Sequence, residues 1–354
     1  MTLQPADDRI PDSLAKWRCF PRALALPKLA MGVTLYPLKA IDRMFGGIDL
    51  GGTKIEACLF DADLFPVLSR RIATPATSYS DLVDAVIEQY DWLRTRASSD
   101  LGHRGRLPLG IGIPGVIDRQ TGLSRTANLP ANDMPLRDDL ARRIGFAVPI
   151  KNDCKCFALS EANGGAGAGF ATVFGLILGT GCGGGVCHHG RLVTGRNDLP
   201  GEVGHVGIPA HHPALRALPA LVCGCGRIGC FETLVSGPGM QALARHMTGT
   251  EPSPQEIALG AAAGDPAMRL VFDTWLDVLC QLVHMIQLTI DPDCIVLGGG
   301  LSRIEGLVSS LTDRFALHRL EGTEAPTFLA AKFGDSSGVR GAAMLAATHW
   351  KAAS

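Results

Sequence analysis

Short apolar runs that end in glycine-rich turns recur along the chain and predict β-strands. Residues 46–61 hold two such runs around one turn, which is typical of a β-hairpin. Residues 109–115, 173–179 and 294–300 each form a single run that leads into glycines. Apolar positions at helical spacing follow Pro266, and helices are predicted between the strands. This alternation predicts an α/β protein.

The hairpins near residues 50 and 180 look alike, since each carries a Gly-Thr dipeptide in its turn. This likeness suggests an internal duplication, and 354 residues are enough for about two domains. We therefore expect a small α/β domain over residues 44–162, completed by a C-terminal helix over residues 338–354. A large α/β domain is expected over residues 163–337.

The composition excludes several classes of protein. Hydrophobic residues make up 46% of the chain and charged residues 19%, which excludes a disordered protein. The 43 glycines show no three-residue period, which excludes collagen. A formal net charge of -1 provides no basic field, so neither nucleic acid nor a membrane is an expected partner. The excess of glycine instead suggests that the backbone approaches a ligand closely.

The cysteines and the N-terminal segment bear on localisation and order. Eleven cysteines, an odd number, in a chain of this size need no disulfide framework. No apolar stretch reaches the ~20 residues that a membrane span requires. We therefore expect a cytoplasmic protein. Residues 1–43 show no clear period and are expected to form a poorly ordered extension before the first strand.

Two glycine turns are candidate phosphate sites. In the first turn, Gly51 and Gly52 permit close approach, Thr53 offers a hydroxyl, and Asp49 at the strand end is placed to hold Mg²⁺. The second turn, residues 179–185, is rich in glycine around one threonine. Each turn alone is equally typical of an ordinary hairpin or a flexible loop, but two of them favour nucleotide binding. Neither turn matches a P-loop or a dinucleotide-binding fingerprint.

A carboxylate follows the strand-like residues 148–151. Asp153, which comes directly after Asn152, is a candidate general base for a sugar hydroxyl. The same pair also suits the cap of a helix that begins near Cys156, and the local sequence by itself favours this cap.

A cysteine cluster carries the most specific chemical signal. Cys223, Cys225 and Cys230 supply three thiolates within eight positions, and the glycines between them let the chain wrap around one ion. Together with His205 they predict a closed tetrahedral zinc site, which is structural because all four positions are filled. The fourth ligand stays open, since two more histidines are competing donors: His211 and His212.

Seven motifs occur in the order seen in the ROK family, which comprises bacterial sugar kinases and sugar-responsive repressors. They are Asp49-x-Gly-Gly-Thr-Lys54, Gly112-Ile-Pro-Gly115, Asn152-Asp153, Gly179-Thr-Gly181, Gly201-Glu-x-Gly-His205, Cys223-x-Cys-Gly-x-x-Gly-Cys-x-Glu232 and Gly298-Gly-Gly300. The resemblance covers about residues 46–345. It implies a two-domain α/β fold of the actin/hexokinase-like (ribonuclease H-like) ATPase type, with an interdomain cleft and a zinc knuckle.

The resemblance also implies the ligand sites. ATP with Mg²⁺ is expected in the cleft, bound by three glycine turns through Asp49, Gly51, Gly52, Thr53, Lys54, Gly179, Thr180, Gly181, Gly299 and Gly300. The sugar hydroxyls are expected to contact Asn128, Asn152, Asp153, Glu202, His205 and Glu232. Asp153 is the expected catalytic base. Structural Zn²⁺ is expected on His205, Cys223, Cys225 and Cys230.

A sugar kinase is the function that the resemblance implies, with ATP and a small sugar as partners. N-acetylglucosamine, converted to its 6-phosphate, is the expected acceptor, and fructose or glucose are the alternatives. A transcription regulator is disfavoured because residues 1–43 lack a recognition-helix pattern. A catalytically inactive sugar-binding protein is the third interpretation. A homodimer is expected from the family alone.

One position departs from the family motif. The family usually reads Asn-Asp-Ala-Asn, whereas this chain reads Asn152-Asp-Cys-Lys155. Lys155 is expected either to lower the pKa of the neighbouring carboxylate, or to contact a phosphate, or to be a solvated residue at the helix start.

Overall fold

The structure is a computed structural model that describes residues 34–35, 43–126, 128–209 and 218–353. Most of the predicted N-terminal extension and the competing zinc donors His211 and His212 lie outside the described residues. Within that extension, Thr34–Leu35 forms a short strand, β1, which pairs with a strand of the first sheet.

The described strands form two large sheets and one two-stranded ribbon. After β1 they are β2 (Phe45–Leu50), β3 (Lys54–Phe60), β4 (Pro66–Ala73), β5 (Leu109–Ile113), β6 (Gly115–Ile117), β7 (Ser124–Thr126), β8 (Ile150–Asn152), β9 (Thr172–Leu178), β10 (Cys182–His188), β11 (Arg191–Leu192), β12 (Cys294–Gly298) and β13 (Thr327–Ala330). The hairpin predicted over residues 46–61 is confirmed as β2 and β3.

Helices alternate with these strands and cover the sheets. They are α1 (Tyr79–Leu101), α2 (Leu136–Ile144), α3 (Asp153–Ala162), α4 (Glu232–Val235), α5 (Gly237–Thr248), α6 (Pro254–Ala262), α7 (Pro266–Ile290), α8 (Leu307–Phe315) and α9 (Ser337–Ala353). The long helix predicted after Pro266 is confirmed as α7. Its buried side chains form much of a hydrophobic core that also includes residues of β9 and β12. Among the described helices, none is long and apolar enough to cross a membrane.

The two large sheets repeat one topology. The first has the order β1-β4-β3-β2-β5-β8 and the second the order β11-β10-β9-β12-β13. In each sheet, a three-stranded antiparallel meander is followed by two parallel strands, β5 and β8 in the first and β12 and β13 in the second. Without β1, each sheet has five strands, and numbering them along the chain gives the same spatial order in both sheets, 3-2-1-4-5. This repeat agrees with the predicted duplication and confirms the mixed α/β architecture.

Two helices, α3 and α9, connect the sheets and lie against each other. A Cβ atom on Gly341 of α9 would lie 1.8 Å from the backbone oxygen of Cys156 in α3. Against the first sheet, a Cβ on Gly47 or on Gly110 would lie 2.2 or 2.0 Å from a backbone oxygen of α9. Glycine at these positions therefore permits close helix contacts, which is a different role from ligand binding.

Helix α3, the last element of the predicted small domain, also packs against the second sheet. Phe157 and Ala158 belong to a core cluster with Val173 and Val296 of the second sheet. Since a Cβ on Gly175 would lie 2.8 Å from Ala158, the helix and the sheet are in direct contact. Helix α3 therefore packs between the second sheet and α9, which lies on the first sheet.

Candidate active site and metal cluster

The first glycine turn is held in shape by its own backbone and by a neighbouring strand. The Gly51 amide donates to the Lys54 oxygen at 3.0 Å, and the Thr74 hydroxyl donates to the Gly51 oxygen at 2.6 Å. Thr53 and Lys54 are exposed beside Gly52. The turn therefore holds the exposed side chains of Thr53 and Lys54 on a fixed backbone, as a phosphate site requires.

The second glycine turn is fixed by two other elements. The Gly179 amide donates to the Gly181 oxygen at 2.9 Å, and the Gly237 amide at the start of α5 donates to the Gly179 oxygen at 2.8 Å. The Cys182 amide donates to Oε2 of Glu232 at 2.9 Å. A Cβ on Gly181 would lie 2.8 Å from the same oxygen. Glu232, predicted from the family resemblance to bind sugar, thus supports the second glycine turn.

The third glycine turn adjoins the second. Gly298 pairs with Ile177 in parallel register, and Gly299 follows in the left-handed region with a φ of 82°. A Cβ there would lie 2.4 Å from the Leu178 oxygen, so only glycine fits. Gly300 comes next, at the start of a 3-10 turn. The residues predicted to contact adenosine therefore lie next to the turn predicted to contact phosphate.

Asp49 and Asp153 form an acidic centre at the end of β2, where the first turn begins. A Cβ on Gly112 would lie 3.6 Å from Oδ1 of Asp49 and 3.7 Å from the Cα of Asp153. Burial and then the charge of Asp153 raise the pKa of Asp49 from 3.8 to about 7. Burial also raises the pKa of Asp153. Two neighbouring carboxylates with raised pKa values form a site that is suited to binding a cation and to proton transfer.

We expect Asp49→Asn to raise thermal stability while it removes activity. The pKa of Asp49 is raised in the folded protein, so its ionisation costs stability as pH rises from about 4 to about 7. The variant lacks this cost and should melt roughly 5 °C higher at pH 8, with little difference at pH 4. The measurement is Tm against pH without Mg²⁺ or nucleotide, with Asp313→Asn on the surface of α8 as control. An equal difference at both pH values would contradict this assignment.

Sequence reasoning missed two side chains next to Asp49. Glu56 is the cross-strand neighbour of Asp49, and Arg71 is the cross-strand neighbour of Glu56. The Arg71 guanidinium lies 2.8 Å from Oε2 of Glu56, which is buried. A signal for this pair does exist, because Glu56 is a charged residue between the apolar residues Ile55 and Ala57 of β3. The ion pair places a third carboxylate and a cation beside the centre.

The predicted sugar residues come from both halves of the chain. Asn152 caps α3, since its side chain accepts from the Cys154 amide at 2.9 Å, so the cap interpretation is confirmed for this residue. Asp153 is the first residue of α3. Glu202 is half-buried, and charge interactions link it to Asp153 and His205. Asn128 is exposed and contacts the first turn, where a Cβ on Gly52 would lie 3.2 Å from its own Cβ.

The four predicted zinc donors are brought together. One ligand atom from each of His205, Cys223, Cys225 and Cys230 lies within 4.8 Å of all the others. The Cys225 and Cys230 sulfurs are 3.7 Å apart, and Nδ1 of His205 lies 3.5 Å from the Cys223 sulfur. Zinc bonds of about 2.3 Å to sulfur and 2.05 Å to nitrogen require tetrahedral edges of about 3.8 and 3.6 Å. The donor set therefore fits zinc.

The cysteine cluster is also linked to the second glycine turn through Glu232. Cys230 is followed by Phe231 and then Glu232, and Oε1 of Glu232 lies 3.6 Å from the Cys223 sulfur. The other oxygen of Glu232 accepts from the Cys182 amide. One carboxylate thus connects the cysteine cluster to the second glycine turn.

Lys155 is neither solvated nor free for a phosphate. Its side chain is 1% exposed and its ammonium lies 3.2 Å from Oδ1 of Asp198. It also donates to the Asp198 backbone oxygen. The solvated interpretation is therefore wrong, because the loop that contains Asp198 closes over the lysine. The carboxyl whose pKa Lys155 lowers is that of Glu202, where burial acts in the opposite direction.

Comparisons with known proteins agree with this architecture. The profile of the ROK family matches residues 45–349. The chain is 42% identical to the N-acetylgalactosamine kinase AgaK of Shewanella sp. strain ANA-3 over 85% of its length and 96% of that protein's. It is 39% identical to the N-acetyl-D-glucosamine kinase of Pectobacterium carotovorum over 85% of its length and 98% of that protein's.

A solved structure gives the same result. The crystal structure of a ROK hexokinase from Thermus thermophilus superposes with a TM-score of 0.75 at 31% identity. The match covers 87% of this chain and 99% of that one. With a family profile that spans nearly all of the described residues and relatives near 40% identity, the chain belongs to the ROK family.

Proposed function

We propose that the protein transfers the γ-phosphoryl group of ATP to the 6-hydroxyl of N-acetylglucosamine. The observation that carries this proposal is the acidic centre of Asp49 and Asp153, in a chain that also holds three fixed glycine turns. Relatives near 40% identity that are named as kinases of N-acetylhexosamines support the substrate class.

The nucleotide would lie along the three turns. Backbone amides and the Thr53 and Thr180 hydroxyls would donate to the phosphate oxygens, and Lys54 would add a positive charge. Asp49 would hold Mg²⁺, which neutralises phosphate charge when bound. Gly299 and Gly300 would leave room for adenosine.

The sugar would lie on the side of the centre where α3 begins. Asp153 would accept the proton of the attacking hydroxyl, and its raised pKa makes it a better base than an ordinary aspartate. Asn128, Asn152, Glu202, His205 and Glu232 would orient the other sugar groups. Because phosphoryl transfer demands little covalent help, positioning supplies most of the rate.

Structural zinc would be held by His205 and the three cysteines. Since four protein ligands fill a tetrahedral site, the ion would organise residues 203–232 and take no part in the reaction. Two further predictions accompany this proposal: lobes over residues 44–162 and 163–337 joined by the C-terminal helix, and a homodimer as the oligomeric state.

A coupled assay tests the proposed reaction. ATP and Mg²⁺ are offered with N-acetylglucosamine, N-acetylgalactosamine, glucose, fructose and mannose, and kcat/KM is compared among the sugars. We expect N-acetylglucosamine to be preferred. The relative at 42% identity makes N-acetylgalactosamine the second candidate. Preference for fructose or glucose would leave the sugar-kinase activity standing and overturn N-acetylglucosamine as the acceptor. Transfer to none of the sugars would overturn the sugar-kinase activity.

A further inference from the structure

A buried ion pair holds the loop that leads to Glu202. The ammonium of Lys155, in the first turn of α3, contacts both a side-chain oxygen and the backbone oxygen of Asp198. Asp198 is itself 6% exposed and adopts a left-handed backbone with a φ of 59°. A buried ammonium without a partner would be strongly destabilising, so this contact fixes the loop relative to α3.

A second lysine holds the other oxygen of the same carboxylate. Lys151, the residue before Asn152, lies 3.0 Å from Oδ2 of Asp198 and is 23% exposed at its side chain. The two lysines therefore flank Asn152 and Asp153 in the sequence and converge on one side chain. Lys151 reaches solvent whereas Lys155 does not, so the two contacts are not equivalent.

Backbone contacts extend from Asp198 to Glu202. The Glu202 amide donates to the Leu199 oxygen at 3.0 Å, and the Gly184 amide donates to the Gly201 oxygen at 2.8 Å. Gly201 has a φ of 105°, and a Cβ there would lie 2.2 Å from the Gly184 oxygen. Three residues, Leu199 to Gly201, therefore separate Asp198 of the ion pair from Glu202.

We propose that Lys155, through Asp198, is a positioning residue that fixes the loop of Glu202 against the sugar and so contributes to acceptor specificity. Sugars with a hydroxyl or amide N–H facing Glu202 are favoured over sugars that lack a donor there. The inference rests on the proposed function in one respect only, that Glu202 contacts the sugar.

Steady-state kinetics of Lys155→Met test this role, with Lys151→Met as the matched control on the same carboxylate. We expect the KM for N-acetylglucosamine to rise about tenfold or more in Lys155→Met, with the KM for ATP within about twofold. Lys151→Met should change either KM by less than about threefold, because its ammonium reaches water. Equal changes in both KM values, or equal effects of the two variants, would overturn the proposal.

The double variant Lys155→Met with Asp198→Asn separates positioning from stability. Removing both charges leaves no buried carboxylate short of a partner, so Tm should recover relative to Lys155→Met. The KM for sugar should stay high, because the loop is still not fixed to α3. If the sugar KM recovers together with Tm, Lys155 only stabilises the fold and the positioning role is overturned.

Hydrogen exchange of the sugar-free protein gives a readout that does not depend on activity. Amides of residues 198–202 should exchange faster in Lys155→Met than in Lys151→Met. If wild-type protein phosphorylates no sugar, the proposed function and the specificity role both fail, although the exchange difference remains. If wild-type protein is active but neither exchange nor sugar KM responds, only the inference about Lys155 fails.

Discussion

Replacing Asp153 with asparagine is expected to lower kcat about 10³-fold. The variant side chain is almost the same size and can still accept from the Cys154 amide, which lies 2.8 Å from Oδ1. It cannot take the proton of the attacking hydroxyl, and this loss is the physical reason for the lower rate. The KM for ATP should change little, because the glycine turns are untouched. Coupled assays of wild type and variant at saturating sugar measure the effect.

The pH profile adds a second test of this residue. Burial raises the pKa of Asp153. The kcat/KM of the wild type should therefore fall as the pH decreases, and this fall should begin at a higher pH than an ordinary aspartate would give. The exposed Asp313→Asn on α8 serves as the control and should retain full activity. If Asp153→Asn keeps kcat within tenfold of wild type, the base is another group, and Glu202, whose charge interacts with that of Asp153, is the next carboxylate to test.

The residues around Asp49 illustrate what the sequence predicts well. An apolar run, a glycine pair and a carboxylate at a strand end are all local features, so the amino-acid pattern alone is enough to place the β2–β3 turn. The cysteine spacing similarly predicts that Cys223, Cys225 and Cys230 meet, because five to eight residues allow few arrangements around one ion.

Contacts between distant segments leave no such local signal. The excess of glycine suggests close approach to a ligand, but Gly47, Gly110 and Gly341 instead let α9 contact β2, β5 and α3. The ion pair of Lys155 and Asp198 joins residues 43 positions apart, and no local pattern marks Asp198 as its partner. Long-range contacts of this kind form only in the assembled fold, and no short stretch of the sequence indicates which distant residues will meet.

Loss of zinc is expected to weaken both ligand sites because one carboxylate joins them. Replacing His205 or Cys225 should remove the ion, lower Tm by about 10 °C or more, and increase exchange of residues 203–232. Glu232 lies two residues after Cys230 and accepts from the Cys182 amide, so the second glycine turn should loosen as well. We therefore expect weaker binding of AMPPNP even without sugar, measured by titration calorimetry.

Matched variants make this result specific to the metal. Cys187→Ala removes a buried thiol from β10 outside the cluster and should keep the zinc content of the wild type. Replacing His211 and His212 together tests the competing donors, and retention of zinc in that variant would assign the fourth position to His205. Wild-type protein purified without chelators and found free of zinc would contradict the site itself. If a variant loses zinc but binds AMPPNP as the wild type does, the zinc site stands. Glu232 then does not transmit the loss of zinc to the second glycine turn.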